Sequence, residues 1–174
     1  MNRFRRFDHK LSQRLMVPAH SRRWQWARLL AHLGDGQNVF LGLSLIYGLA
    51  WLTANADLLW ADFAIAIVVV IAVSVVTLIK FTFQRERPQP PGEFVAFKYD
   101  SYSFPSGHSG RMAALATGLL FFYPFFGLIV SLITLGIAVC RVAVGVHYVS
   151  DIVAGLIVGT TVASVGLILL HYCF

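Results

Sequence analysis

Positive charge is missing from two long tracts of this chain: no Lys or Arg lies between Arg28 and Lys80, and none follows Arg141. Across the 174 residues hydrophobic types reach 57%, and the mean hydropathy is +0.70. Both values lie far above those of a soluble globular domain, so the chain reads as a membrane protein of single-domain length. Cysteine is scarce too. Cys140 and Cys173 sit in or beside apolar segments and match no metal-ligand or disulfide-framework spacing, which leaves them as small apolar residues. There is no internal repeat and no low-complexity tract, which removes repeat arrays and biased linkers from consideration. Residues 1 to about 36 lack any uninterrupted apolar run. That excludes a spanning helix there, and also a signal peptide, whose core needs roughly 7 to 15 apolar residues.

What is present begins with an uneven distribution of charge. Of the fourteen Lys and Arg residues, eight fall between Arg3 and Arg28 and six between Lys80 and Arg141. A net charge of +6 invites nucleic acid as a partner, but in a chain this apolar the expected partner is a bilayer with anionic head groups, and no nucleic acid. Phe4, Phe7, Leu11 and Leu15 recur at helical spacing among Arg3, Arg5, Arg6, Lys10 and Arg14, which predicts a helix lying on the membrane surface. A second helix is expected after Ser21 as N-cap, carrying Trp24, Trp26, Leu29 and Leu30 at interfacial depth. The alternative for this region is a disordered basic arm. Residues 1–36 are thus expected to form a basic amphipathic interfacial segment, and residues 37–174 a membrane-embedded domain.

Gly34-Asp35-Gly36 breaks the first segment, and apolar runs follow at about 38–54 and 58–79, separated by the turn signal Asn55-Ala-Asn-Asp57. Asp62 is expected to lie near enough to the start of its run to reach water. Residues 81–104 form the one long polar connection, with Pro88, Pro90, Pro91 and Gly92; a loop of that length is ordinarily functional or disordered. Further runs cover about 106–122, 125–142 and 148–172, with almost no connection at Tyr123-Pro124 and a short link at 143–147. The expectation is an all-α polytopic bundle of five spanning helices, the first below the roughly 20 residues a span usually needs. Counting spans brings the polar stretches at 80–88, 105–108 and 140–151 to the same face as the N-terminus.

Those stretches hold the chemistry. Lys80, Arg87 and Arg141 can stabilise a phosphate dianion, arginine by bidentate contact. A single basic residue at a helix end ordinarily marks the head-group level, but Arg141 follows and precedes apolar residues and is expected to point into the bundle. Pro105 suits the first position of a helix, which would set Ser106, Gly107 and His108 in a first turn able to bind an anion. His147 and Asp151, four residues apart, face the same way on a helix. The carboxylate can then hold one imidazole nitrogen while the other attacks phosphorus, and His108 can protonate the leaving alkoxide and later activate water.

Lys-x6-Arg-Pro, Pro-Ser-Gly-His and Arg-x5-His-x3-Asp, three motifs in order across residues 80–151, resemble those of the type 2 phosphatidic acid phosphatase superfamily, which is related to the vanadium haloperoxidases. The resemblance implies that Lys80, Arg87, Ser106, Gly107 and Arg141 bind substrate phosphate. It further implies His147 as nucleophile through a phosphohistidine, Asp151 as its partner, His108 as general acid and base, and no metal or other cofactor. The chain departs from the family in having Cys140 where serine usually precedes the Arg of the third motif, and in having five expected spans where many members have six.

The leading expectation is an integral-membrane, metal-independent phosphatase acting on a lipid phosphomonoester or diphosphate such as phosphatidate, phosphatidylglycerophosphate, a polyprenyl diphosphate or a phosphorylated glycolipid. Residues 88–104 and the surface helix are expected to choose among these. Alternatives are a vanadate-dependent oxidase and a non-catalytic lipid-phosphate binding or transport protein. The Arg-rich N-terminus puts the site face on the cytoplasmic side of a bacterial inner membrane, although many bacterial relatives act on the outer face. Oligomeric state is not legible.

Overall fold

The structure is a computed structural model that describes residues 3–88 and 101–173. The specificity role expected of residues 88–104 falls mostly on residues 89–100, outside the described set. Seven helices follow one another, and no strand occurs among the described residues: α1 Arg3–Leu15, α2 Arg22–His32, α3 Gly36–Leu52, α4 Ala56–Phe83, α5 Gly107–Phe122, α6 Pro124–Ala143 and α7 Val149–Cys173.

Local sequence explains the boundaries. Ser21 caps α2 by accepting from Trp24 N, and Asn55 caps α4 by accepting from Leu58 N. Gln84, left-handed at φ 45°, ends α4, while Pro124 opens α6 at a position where a missing N–H costs nothing. Gly145 at φ 80° turns the chain between α6 and α7. Pro105 is not the first helical residue, as its fit to that position had suggested. Ser106 is the N-cap and Gly107 the first helical residue, with a cis Phe104–Pro105 peptide just before.

Helices occupy all five expected apolar segments. On length and composition α4, α6 and α7 can cross a membrane, whereas α3 is apolar but shorter, at 17 residues, and α5 has 16. Length and composition therefore support three of the five expected spans.

Helix α5 is the hub, packed against α4, α6 and α7. Small residues make this possible, since closely approaching backbones are how helices gain packing energy where lipid replaces water. A Cβ on Gly159 of α7 would collide with the Gly110 carbonyl of α5, and one on Gly155 would lie 2.5 Å from the Ser106 carbonyl. Val68, Val69, Ala72, Met112, Ala114, Ile137, Ala163 and Leu167 fill the space between these helices. Asp62 departs from expectation: it is 4% exposed, facing an apolar cleft of about 550 Å³ between α3 and the α4–α6 helices, because it lies nearly two turns inside α4 on the inward side.

The two N-terminal helices are built against the bundle. In α1 the buried residues are Asp8 and Ser12, while Phe4 and Phe7 are exposed. The polar side faces protein and the apolar side faces outward. Helix α2 packs on α6, with Trp24 and Ala27 joining Cys140, Val144 and Val146 in one cluster.

Replacing Gly159 by alanine is expected to destabilise the detergent-solubilised protein by about 1–3 kcal/mol through overpacking against α5. Gly136→Ala is expected to be neutral or mildly stabilising, since an added Cβ there meets nothing within 4 Å. Equal melting temperatures for the two variants would contradict the packing described.

Candidate active site

Seven of the eight residues singled out by sequence are brought to one end of the bundle by three elements: the last turn of α4 (Lys80), the first turn of α5 with its cap (Ser106, Gly107, His108), and the α6–α7 junction (Arg141, His147, Asp151). Arg87, just beyond α4, reaches across to the same junction, donating to the Val146 carbonyl at 3.1 Å. His147, Asp151 and Ser106 are fully buried, and Arg141 and Lys80 nearly so.

His147 occupies the short link rather than a helix, yet the four-residue spacing still pairs it with Asp151 on the first turn of α7. Its Nδ1 lies 3.6 Å from Asp151 Oδ2, ion-pair range but just beyond hydrogen-bond length. On the other side of the ring, Nε2 faces the Arg141 guanidinium at 3.4 Å. Burial, followed by the charges of Arg141, Arg87 and Lys80, holds the imidazole well below its ordinary protonation range. The ring is therefore neutral at physiological pH, with a lone pair available among cations.

Gly107 sits under Lys80, whose Nζ would lie 3.9 Å from an added Cβ. The hydroxyl oxygen of Ser106 is engaged as a cap, accepting from Ser109 N at 3.4 Å and Ser109 Oγ at 3.1 Å, so toward an anion it has only its own O–H to give. The Ser106 amide donates to the Asp151 carbonyl at 2.9 Å and so ties the α5 N-terminus to α7. His108 meets Asp35 of the α2–α3 loop through Nε2. Cys140, where the related motif carries serine, packs with Trp24 and Ala143 beneath α2, so this chain has an apolar contact there.

Three further residues, Arg85, Asp8 and Ser12, hold the site and were not assigned from sequence. Arg85 donates from one guanidinium nitrogen to Asp151 Oδ1 and Ser150 Oγ, both at 2.7 Å, and from another to Asp8 Oδ2 at 2.7 Å, with its Cζ 4.0 Å from the centroid of the Tyr148 ring. Asp8 and Ser12 of α1 cap α7 from outside: Ser12 Oγ accepts from Val149 N at 3.0 Å, and Asp8 accepts from Ser150 N at 3.1 Å and Ser150 Oγ at 2.6 Å. Burial opposes ionisation of Asp8, but the bonds from Ser150 and Arg85 outweigh it and hold the carboxyl below its ordinary range. One signal was available. Asp8 is the only acidic residue before Asp35, in a segment otherwise dense in arginine.

Among the described residues no group of three or more His, Cys, Asp or Glu side chains has a metal-binding arrangement. The sequence matches the family model of the PAP2 superfamily over residues 58–174. It is 33% identical over 151 residues to a decaprenylphosphoryl-5-phosphoribose phosphatase of Mycobacterium tuberculosis, covering 80% of this chain and 76% of that one. It is 30% identical over 89 residues to a lipid A 1-phosphatase of Rhizobium etli, covering 47% and 38%. Among solved structures, a transmembrane PAP2-type phosphatidylglycerolphosphate phosphatase from Bacillus subtilis superposes with a TM-score of 0.79 at 21% identity, over 99% of this chain and 88% of that one. LpxE of Aquifex aeolicus superposes at 0.65 and 22% identity, over 91% and 93%. Those two likenesses speak to the fold.

Removing the Arg85 guanidinium leaves two buried carboxylates without their shared cation, so Arg85→Ala is expected to destabilise the protein by about 3–5 kcal/mol. The exposed Arg6→Ala is expected to change stability by less than about 0.5 kcal/mol. Thermal unfolding of the two variants side by side checks this, and matching curves would contradict it.

Proposed function

The chain belongs to the PAP2 superfamily and is a metal-independent phosphatase, and on that footing we propose that it dephosphorylates a lipid at the membrane face through a phosphohistidine on His147. The observation that carries the reading is the two-sided environment of that imidazole, with a carboxylate at Nδ1 and a guanidinium at Nε2. A nucleophile needs its attacking nitrogen turned toward the bound anion and its other nitrogen toward a group that stabilises the charge it acquires.

In this mechanism Lys80, Arg87 and Arg141 hold the phosphoryl oxygens, helped by the α5 N-terminus at Ser106 and Gly107. His147 Nε2 attacks phosphorus, and the bond to the leaving oxygen breaks as His108 supplies a proton to it. Asp151 stabilises the imidazolium that forms. Water, deprotonated by His108, then attacks phosphorus and releases phosphate with restoration of His147. The surrounding cations do two jobs: they attract the dianion, and in its absence they add to burial in keeping His147 unprotonated.

The substrate class follows from a phosphate site at the end of apolar helices, where a lipid can present its head group while its chains stay in the bilayer. Two of the similar proteins are named for decaprenyl-linked sugar phosphate and for lipid A, which supports including polyprenyl-linked and glycolipid phosphates beside phosphatidate and phosphatidylglycerophosphate as candidates. For topology, the proposal counts α3 to α7 as five crossings with α1 and α2 on the surface, and the basic N-terminus assigns the site to the cytoplasmic side. The outward apolar face of α1, Phe4 and Phe7 beside arginines, supports its seat in the lipid interface.

Phosphate release from a panel of those four lipid classes is expected to single out one class, to resist chelators and to be inhibited by vanadate. His147→Ala is expected to lower kcat by about 10⁴-fold or more. Because the free imidazole stays neutral, the acid limb of kcat/KM is expected well below pH 6.5. Wild-type turnover by His147→Ala would overturn the proposal. For topology, exposed Cys173 ends the helix that begins at the site, so in intact cells a membrane-impermeant maleimide is expected to label it from outside. Labelling only after permeabilisation would reverse the orientation.

A further inference from the structure

The Gly34-Asp35-Gly36 break, read from sequence only as a break in the N-terminal segment, brings a carboxylate to the site. Asp35 stands at the N-cap of α3, where such a side chain ordinarily accepts from its own helix, yet it makes no capping bond. Both oxygens are turned outward. Oδ1 lies 2.6 Å from His108 Nε2, and Oδ2 lies 2.9 Å from His32 Nδ1. The side chain is 18% exposed, and that of His108 14%.

The loop is fixed where it stands. Arg111, one turn along α5 from His108, donates from two guanidinium nitrogens to the Gly34 carbonyl, through Nε at 3.2 Å. Asn38 Nδ2 donates to the His32 carbonyl at 2.9 Å. Gly34 itself abuts Met112 and Ile137, 3.2 and 3.3 Å from where a Cβ would be, so the backbone approaches α5 and α6 as closely as glycine allows. A capping carboxylate turned off its own helix, and a loop clamped so that it meets one particular imidazole, are what orienting that imidazole requires.

We propose that Asp35 is a positioning residue for His108: it fixes the proton on Nε2, so that Nδ1 is the nitrogen that gives a proton to the leaving group and then takes one from water. This rests on the role of His108 given above. In the first step the His147 Nε2–phosphorus bond forms, the phosphorus–oxygen bond to the lipid breaks, and the Nδ1 proton passes to that oxygen. In the second, water oxygen bonds to phosphorus, the phosphorus–nitrogen bond breaks, and the proton lost by water returns to Nδ1. His108 alternates between imidazolium and imidazole, and the Asp35 carboxylate supports the charged form, as aspartate does for the base in Ser-His-Asp triads. Asp35 is the carboxylate that meets this ring, against the like charges of Arg141 and Arg111. It is ionised for that purpose: burial opposes the charge, but the bonds from His108 and then His32 hold the carboxyl at about 2.

A loop clamp and an orienting carboxylate are told apart by leaving-group dependence. On a lipid phosphomonoester, whose alkoxide must be protonated to depart, Asp35→Asn is expected to lower kcat by about 10²-fold, with KM within about threefold of wild type. On p-nitrophenyl phosphate, whose phenolate departs unprotonated, the first-turnover burst rate of the same variant is expected to fall by less than about fivefold. Asp35→Glu, which keeps the charge, is expected to recover at least about a tenth of the lipid kcat, and it serves as the second variant should the asparagine protein fold poorly. Equal losses on the two substrates, or wild-type lipid kcat in both variants, would overturn the proposal. His108→Ala is measured alongside. If it too shows no leaving-group dependence, the role of His108 itself fails; if it shows the dependence and Asp35→Asn does not, only the role of Asp35 fails.

Discussion

Asp151 is a carboxylate with no exposed surface, and the site depends on how its charge is satisfied. Arg85 takes one oxygen at 2.7 Å, and the Tyr148 amide takes the other at 2.9 Å, on the side that faces His147. Because Arg85 also binds Asp8, and Asp8 with Ser12 caps α7, one guanidinium joins α1, the end of α4 and the start of α7. A buried charge without such a partner costs several kcal/mol. With it, the imidazole beside Asp151 has a fixed neighbour and the junction that carries it has a fixed position. The arginine-rich N-terminal segment thus bears on the site: α1 completes the cap of the helix bearing Asp151, and α2 braces the link bearing His147.

Much of this was legible in the sequence, for identifiable reasons. The helices fall on the expected segments, with the largest boundary difference at the end of α4, Phe83 against an expected Ile79, because helix-breaking signals are local. His147 and Asp151 were legible as a pair because four-residue spacing survives even though the histidine lies outside the helix. Arg85 was not, because nothing local separates it from Arg87 two residues on; what distinguishes them is a partner 77 residues earlier and another 66 later. Asp35 was missed for the same reason, its bond to His108 spanning 73 residues. The periodicity of α1 announced a helix correctly, but periodicity does not say which face meets protein. Asp8 and Ser12 do, through bonds that only the assembled junction offers.

The proposed chemistry follows from an asymmetry. Around His147 a guanidinium lies at one ring nitrogen and a carboxylate at the other, so on the proposed mechanism an anion held by Lys80, Arg87 and Arg141 would meet a neutral nucleophile. His108 likewise has a carboxylate at one nitrogen, and the proposal leaves its second for proton transfer. On the proposed mechanism two imidazoles, each beside an aspartate from a different part of the chain, divide attack and proton transfer between them. Such a division would let a phosphatase work with side chains alone.

The most direct test is to quench the enzyme during turnover of a phosphate-labelled lipid and locate the label. The mechanism requires an acid-labile, alkali-stable phosphoramidate on Nε2 of His147, formed at least as fast as kcat and absent from His147→Ala. A label on another residue, or full turnover with no phosphoenzyme formed at a competent rate, would contradict it.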